Sequence, residues 1–181
     1  MMATITEVAG GELLEEVRKL FLEYAASTGL DLSFQGFDHE LATLPGKYAR
    51  PQGRLLLLIE DGRPGGCVGM RSLEGRRPAA SRRASWPGGS ISQNSSNPTV
   101  ERTCEMKRFY IRPEFRGRGL GRVLANRIID EARQAGYTTM LLDTLPTMTA
   151  AIALYERLGF HDTALYTHNP VPGTRFFELV L

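Results

Sequence analysis

"RPEFRGRGLGRVLANRIIDEA", residues 112–132, decides how the rest of the chain is read. Its first eleven residues, 112–122, hold four arginines and three glycines, and an amphipathic helical pattern follows without a break. A strand-like run, "TCEMKRFYI" (103–111), leads directly into it and stops at Arg112-Pro113. A turn placed between strand and helix leaves the first N–H groups of the helix without intrahelical acceptors. Gly117, Gly119 and Gly121 remove side chains that would keep a ligand from those groups. Arg116, Arg118 and Arg122 add donors matched to phosphate oxygens, where the helix dipole already favours an anion. On this pattern alone two readings stay open, a phosphate cradle and a solvated basic turn ahead of a helix.

The whole chain narrows the setting. At 181 residues, 42% hydrophobic and 23% charged, it has the composition of one globular domain spanning 1–181. A net charge of +2 argues for neither nucleic acid nor a membrane surface as partner. Cys67 and Cys104 lie far apart with no metal-ligand spacing, so neither a zinc site nor a disulfide framework is expected. No secretory pattern opens the sequence, and the longest apolar run, Leu55 to Ile59, is far short of a membrane span. A cytoplasmic protein is the expectation, with the nucleus not excluded. The oligomeric state is not legible, and a homodimer is compatible with the sequence.

Working outward, "TITEV" (4–8) alternates as a short strand, and Leu13, Leu14, Val17, Leu20, Phe21 and Tyr24 fall at helical spacing behind Gly10-Gly11. A short helix is expected near 38–43, ended by Pro45-Gly46. Residues 54–60 and 66–73 read as two strands around an Asp-Gly turn. Residues 75–102, with six serines, five arginines, three prolines and three glycines, offer too little apolar surface to offset ordering entropy and read as a disordered insertion between strands. After the strand at 103–111, a helix over about 119–135 places Leu120, Val123, Leu124, Arg127, Ile128 and Ala132 on one face. A buried strand (138–145), a second helix (147–159) and two closing strands, "FHDTALY" and "TRFFELVL", complete a mixed α/β layout.

The glycine-rich turn lacks both the spacing of a dinucleotide fingerprint and the Lys-Ser/Thr pair of a Walker loop. It resembles instead the GNAT superfamily of acyl-CoA N-acyltransferases. Arg116, Gly119 and Gly121 fill that family's R/Q-x-x-G-x-G/A signature at the start of a helix, in "FYIRPEFRGRGLGRVL". A second signature, A-x-x-L-Y-x-x-x-G-F, is met by Ala151, Leu154, Tyr155, Gly159 and Phe160 in "AAIALYERLGF". The two occur in the family's order and spacing, and the resemblance extends over roughly 3–181 apart from the insertion.

The resemblance implies a GNAT-like, mostly antiparallel mixed sheet flanked by helices, with a central strand splay holding coenzyme A. It implies acetyl-CoA as acyl donor, no metal, and a primary amine on a small molecule or peptide as acceptor. Backbone amides of Arg116, Gly117, Arg118, Gly119, Leu120 and Gly121, with Arg118 or Arg122 nearby, would hold the pyrophosphate. Phe109, Tyr110 and Ile111 would pair with the pantetheine arm, and Arg157 would approach the nucleotide phosphate. Tyr155 would stand beside the thioester sulfur as general acid. One departure is Met148, where the family often has an asparagine that contacts the cofactor.

Transfer to an amine also needs a base. Glu105 is the first candidate, because a carboxylate is an odd choice on the strand that leads into the cofactor turn; the plainer alternative is that it pairs with Lys107 or Arg108. Asp143, on the strand before the second signature, is the second candidate. An oxyanion donor is expected from backbone N–H groups near Ile111, and the "YTHNPVPG" loop is expected to overhang the acceptor, with Tyr166 and His168 as lining groups. Two other classes are compatible with these residues: a catalytically silent CoA-binding module of the same fold, and a nucleic-acid binder using the arginines of 76–83 and 112–122.

Overall fold

The computed structural model describes residues 2–73 and 102–181, so the reading of 75–102 as a disordered insertion falls outside the described residues except at Arg102, whose backbone N–H donates to Thr138 Oγ1 at 3.2 Å. Seven strands form one sheet in the order β1 (Ala3–Glu7), β2 (Arg54–Glu60), β3 (Arg63–Ser72), β4 (Thr103–Ile111), β5 (Thr139–Thr144), β7 (Arg175–Val180) and β6 (His161–Asp162). All neighbours run antiparallel except β4 and β5, which are parallel and pair only from Thr103↔Thr139 to Glu105↔Leu141. Beyond Glu105 the two strands part, and the split opens toward the functional site. The expected mixed, mostly antiparallel fold with a central splay is therefore observed. Among the described residues no helix is long and apolar enough to cross a membrane.

Helices cover both faces. The continuous apolar run of β2 reflects this, since a strand buried on both sides needs no polar alternation. Leu55 and Leu57 pack with Val17, Leu20 and Phe21 of α1 (Glu12–Thr28), whereas Leu56 and Leu58 pack with Leu124 and Ile128 of α3 (Leu120–Gln134). Within α3 the buried face is rotated from the expected one. Ala125 and Ile129 are buried, while Val123 is 50% exposed and Arg127 lies at the surface with its guanidinium on Glu131. The helix turns Glu131 inward because Arg54, buried on β2, pairs with it at 2.9 Å.

Two further features shape the site side. A β-bulge in β4 sets Lys107 and Arg108 together opposite Gly69 and its neighbour, with Arg108 at φ 55, a left-handed conformation rare for an arginine. The bulge reverses the strand's alternation. Cys104 and Met106 face the α3 side before it, and Phe109 and Ile111 face that side after it. Lys107 and Arg108 consequently both project toward α1 and α2 (Phe37–Ala42). Close to the bulge, Gly69 lies under the ring of Tyr48, which is 1% exposed and donates to Glu40 at 2.9 Å. A Cβ at Gly69 would stand 2.6 Å from that ring, so Gly69→Ala is expected to destabilise the protein by about 1–3 kcal/mol in urea unfolding.

Of the two closing strands, β6 shrinks to His161–Asp162 and residues 163–174 leave the sheet. Tyr166 turns inward and donates to Glu105 at 2.8 Å, and Asn169 donates to Asp143 at 2.8 Å. Polar anchors under the loop thus outcompete the alternating pattern of "FHDTALY".

Candidate active site

The turn between β4 and α3 is built as the glycines suggest. Pro113–Phe115 form one 3₁₀ turn that seats Phe115, 3% exposed, in the core. Gly117 (φ 73) and Gly119 (φ 77) then adopt left-handed backbone, and Gly119 stands at the helix N-cap with no side-chain cap. The first intrahelical bond runs from Val123 N–H to the Gly119 carbonyl at 3.2 Å, so the N–H groups of Leu120, Gly121 and Arg122 precede it. A Cβ at Gly117 or Gly119 would meet nothing within 4 Å, so the surface above the turn is open. This is a surface of backbone donors at the positive end of a 15-residue helix, suited to a phosphate.

The arginines around the turn divide the work. Arg116 donates from Nε to the Ile111 carbonyl at 2.8 Å and stacks over Tyr110, fastening the turn to the end of β4. Arg118 reaches Glu60 on β2 at 2.7 Å with its side chain 35% exposed. Arg122 is exposed in the first turn of α3, and Arg157 is exposed in the last turn of α4 (Thr149–Arg157). Arg157 lines neither of the cavities described next.

Where β4 and β5 separate, a cavity opens between Met106–Phe109 on one side and Leu142–Leu145 on the other. Tyr155 and Ala151 of α4 and Met148 close one end, and Tyr24 and Phe34 the other. Gly121 of this turn lies against Phe109 and Ile111 of β4 and Leu154 of α4, so the turn and the cavity share a wall. Tyr155 packs its ring against Phe109, Phe160 and Phe177 at centroid distances of 6.0, 5.8 and 6.2 Å. Its hydroxyl makes no hydrogen bond among the described residues, although buried polar side-chain atoms there all have partners; it therefore opens to the cavity. Burial, with smaller contributions from Tyr24 and Asp143, pushes the phenol well above its ordinary range.

A second, polar cavity shares Phe34, Gln35, Lys107, Arg108 and Asp143 with the first and adds Glu40, Lys47, Arg71, Thr167 and His168. Glu105 lines neither cavity. It is fully buried one layer behind, accepting from Arg71 at 2.6 Å and Tyr166 at 2.8 Å, with Lys107 at 3.1 Å. The carboxylate that faces both cavities is Asp143, held by Lys107 at 2.7 Å and Asn169 at 2.8 Å. Burial opposes charge on Asp143, but Lys107 and the two hydrogen bonds outweigh it and lower the carboxyl. Burial likewise opposes charge on Lys107, and Glu105 with Asp143 reverses the sign and raises it. The loop anchored by Tyr166 and Asn169 brings Thr167 and His168 over the second cavity and Val171 over the first.

Sequence reasoning missed Glu40. Its place on the six-residue helix α2 looks like surface, yet its side chain is 2% exposed. Arg108 grips it at 2.8 and 3.1 Å, Lys47 at 2.6 Å and Tyr48 at 2.9 Å. The available signal was the Lys107-Arg108 doublet inside a central strand, two cations against the single carboxylate of Glu105, which requires further buried counter-charge.

Known proteins match this arrangement. The sequence profile described as Acetyltransferase (GNAT) family matches residues 14–160. An uncharacterized N-acetyltransferase of Schizosaccharomyces pombe is 36% identical over 167 residues, covering 92% of this chain and 87% of its own. One from Dictyostelium discoideum is 30% identical over 208 residues, covering 88% and 90%. A GNAT family acetyltransferase from Elizabethkingia anophelis, solved with acetyl-CoA bound, has the same fold at TM-score 0.61 and 18% identity, covering 99% and 98%. With the profile spanning most of its length and these relatives matched nearly end to end, the chain belongs to the acetyltransferase (GNAT) family.

Proposed function

We propose that the protein is an N-acetyltransferase that takes acetyl-CoA as donor and a primary amine as acceptor. The observation that carries this reading is the continuity of the site. An uncapped helix N-terminus behind two left-handed glycines abuts a strand split that ends on a hydroxyl-bearing side chain, Tyr155. The donor would bring an activated thioester whose pyrophosphate suits the amides of residues 117–122. Its extended arm fits the open edge of β4 along Phe109, Tyr110 and Ile111, where β5 no longer pairs.

The residues of the chain then have distinct tasks. Tyr155, kept protonated by burial, donates its hydroxyl proton to the departing sulfur as the C–S bond breaks and the C–N bond forms. Asp143 faces the junction of the two cavities and attracts the ammonium, and takes its proton directly or through water. Glu105 acts through Arg71 and Lys107, fixing their positions as a positioning residue rather than touching the amine.

Tyr155→Phe keeps the ring stack and removes only a hydroxyl that has no partner among the described residues. It is expected to lower kcat about 10²-fold while KM for acetyl-CoA and the unfolding midpoint stay nearly constant. The check is release of free thiol from acetyl-CoA in the presence of an amine panel. An unchanged kcat would remove Tyr155 from the chemistry.

A further inference from the structure

The second cavity carries more positive charge than its own pairs absorb. Lys47, Arg71, Lys107 and Arg108 meet Glu40, Asp143 and the underlying Glu105, four formal positive charges against three negative. These charges are not equally committed. Arg108 has Nε and Nη2 on the two oxygens of Glu40 and Nη1 on Gln35, so its donors are engaged. Lys107 is 9% exposed and clasped between Glu105 and Asp143. Arg71 differs: Nε and Nη2 both meet a single oxygen of Glu105, and Nη1 has no partner among the described residues. Lys47 bonds Glu40 through one of its three N–H donors and has a side chain 33% exposed. The uncommitted donors therefore belong to Arg71 and Lys47, and the carboxylate with acceptor capacity left is Asp143, each of whose oxygens accepts one hydrogen bond, at the junction with the first cavity.

Resting on the transferase reading above, we propose that the acceptor is a small amine that also carries a carboxylate, an amino acid or a close derivative. Its carboxylate sits at Arg71 and Lys47, and its amine sits at Asp143. The match is local at each end: the carboxylate meets the open donors of Arg71 and Lys47 and the ammonium meets Asp143, so a zwitterion gains a counter-charge at both ends without changing the net charge of the cavity. A polyamine would add cations to a site that already holds a surplus, which is electrostatically unfavourable in a partly enclosed space. Arginine's planar donors and lysine's point charge both suit a carboxylate, and a site built to pair such a group discriminates strongly against analogues lacking it.

The test is thiol release from acetyl-CoA with the common amino acids, each compared with its carboxamide and its decarboxylated amine, and with O-phosphoethanolamine as the phosphate arm. At least one amino acid is expected to turn over with kcat/KM about 10-fold or more above its amide and above the phosphate. Arg71→Met strands Glu105 and risks misfolding, so Lys47→Gln is the informative variant. It is expected to raise KM for the amino acid about 10-fold and leave acetyl-CoA affinity unchanged. Amides or decarboxylated amines matching their acids, preference for the phosphate, or turnover of no carboxylate-bearing amine despite bound acetyl-CoA would each overturn the proposal. Failure to bind acetyl-CoA at all would instead overturn the transferase reading beneath it.

Discussion

Replacing Arg108 by methionine is expected to destabilise the protein by about 3–5 kcal/mol, because it leaves a buried carboxylate without its principal partner. Arg108 and Glu40 are each 2% exposed at the side chain, and their contact is bidentate. The guanidinium also lies 5.7 Å over Tyr24 and 5.0 Å over Phe37, tying β4 to both α1 and α2. Lys47 remains beside Glu40 in the variant, but its side chain is 33% exposed and it supplies one hydrogen bond where Arg108 supplies two. Loss of Arg108 should therefore be felt nearly in full.

The pair also fixes how stability responds to acid. Burial opposes the charge of Glu40, yet the hydrogen bonds and charge of Arg108, with help from Lys47, outweigh it and bring the carboxyl from 4.5 to about 2. A depressed folded-state value means that stability is fully present above the unfolded value and is lost as pH falls through the folded one. In the native protein this contribution, on the order of 3 kcal/mol, is expected to fade between about pH 4.5 and 2. In Arg108→Met the burial contribution is far less opposed, so the loss of stability over that interval should shrink. Urea unfolding at pH 7, 4 and 3 measures both effects. A destabilisation below about 1 kcal/mol with an unchanged acid profile would show that the pair is not the link assigned to it.

The second large effect concerns the turn between β4 and α3. Gly119→Glu is expected to reduce acetyl-CoA affinity more than about 100-fold while costing the fold only about 1–2 kcal/mol. The two magnitudes have separate causes. At φ 77 any side chain is strained, but a Cβ there meets nothing within 4 Å, so the protein without ligand accommodates it. The same Cβ and a carboxylate beyond it would occupy the space over the α3 amides and oppose an anion. Calorimetry of acetyl-CoA binding beside thermal unfolding separates these contributions. Weak binding accompanied by wholesale unfolding would not support a local role for the turn, and binding near the native value would contradict it.

How much of this could be read from residues alone depended on the range of the interactions. The turn at 116–121 was legible because a strand, three glycines and a helix start are contiguous in the chain. Tyr155 was legible through its local signature, although its aromatic packing against Phe177 on β7 was not. The relation between Glu105 and Asp143 depended on two long-range facts, that β4 and β5 part just beyond Glu105 and that the bulge at Arg108 redirects its neighbours. A strand pattern read with strict alternation places Lys107 and Arg108 on opposite faces, and only the bulge brings them to one side. The closing strand "FHDTALY" failed for a related reason, since Tyr166 and Asn169 find buried carboxylates more than twenty residues away. Glu40 was missed because its partners come from β4 and from the turn holding Lys47 and Tyr48, which no helical periodicity announces.

The most direct test of the central claim is a calorimetric titration of the native protein with acetyl-CoA. The account predicts saturable binding of one donor per chain with a Kd in the micromolar range, about −8 kcal/mol. No detectable binding at millimolar acetyl-CoA would contradict it, leaving a family member whose uncapped helix and split sheet hold no acyl donor.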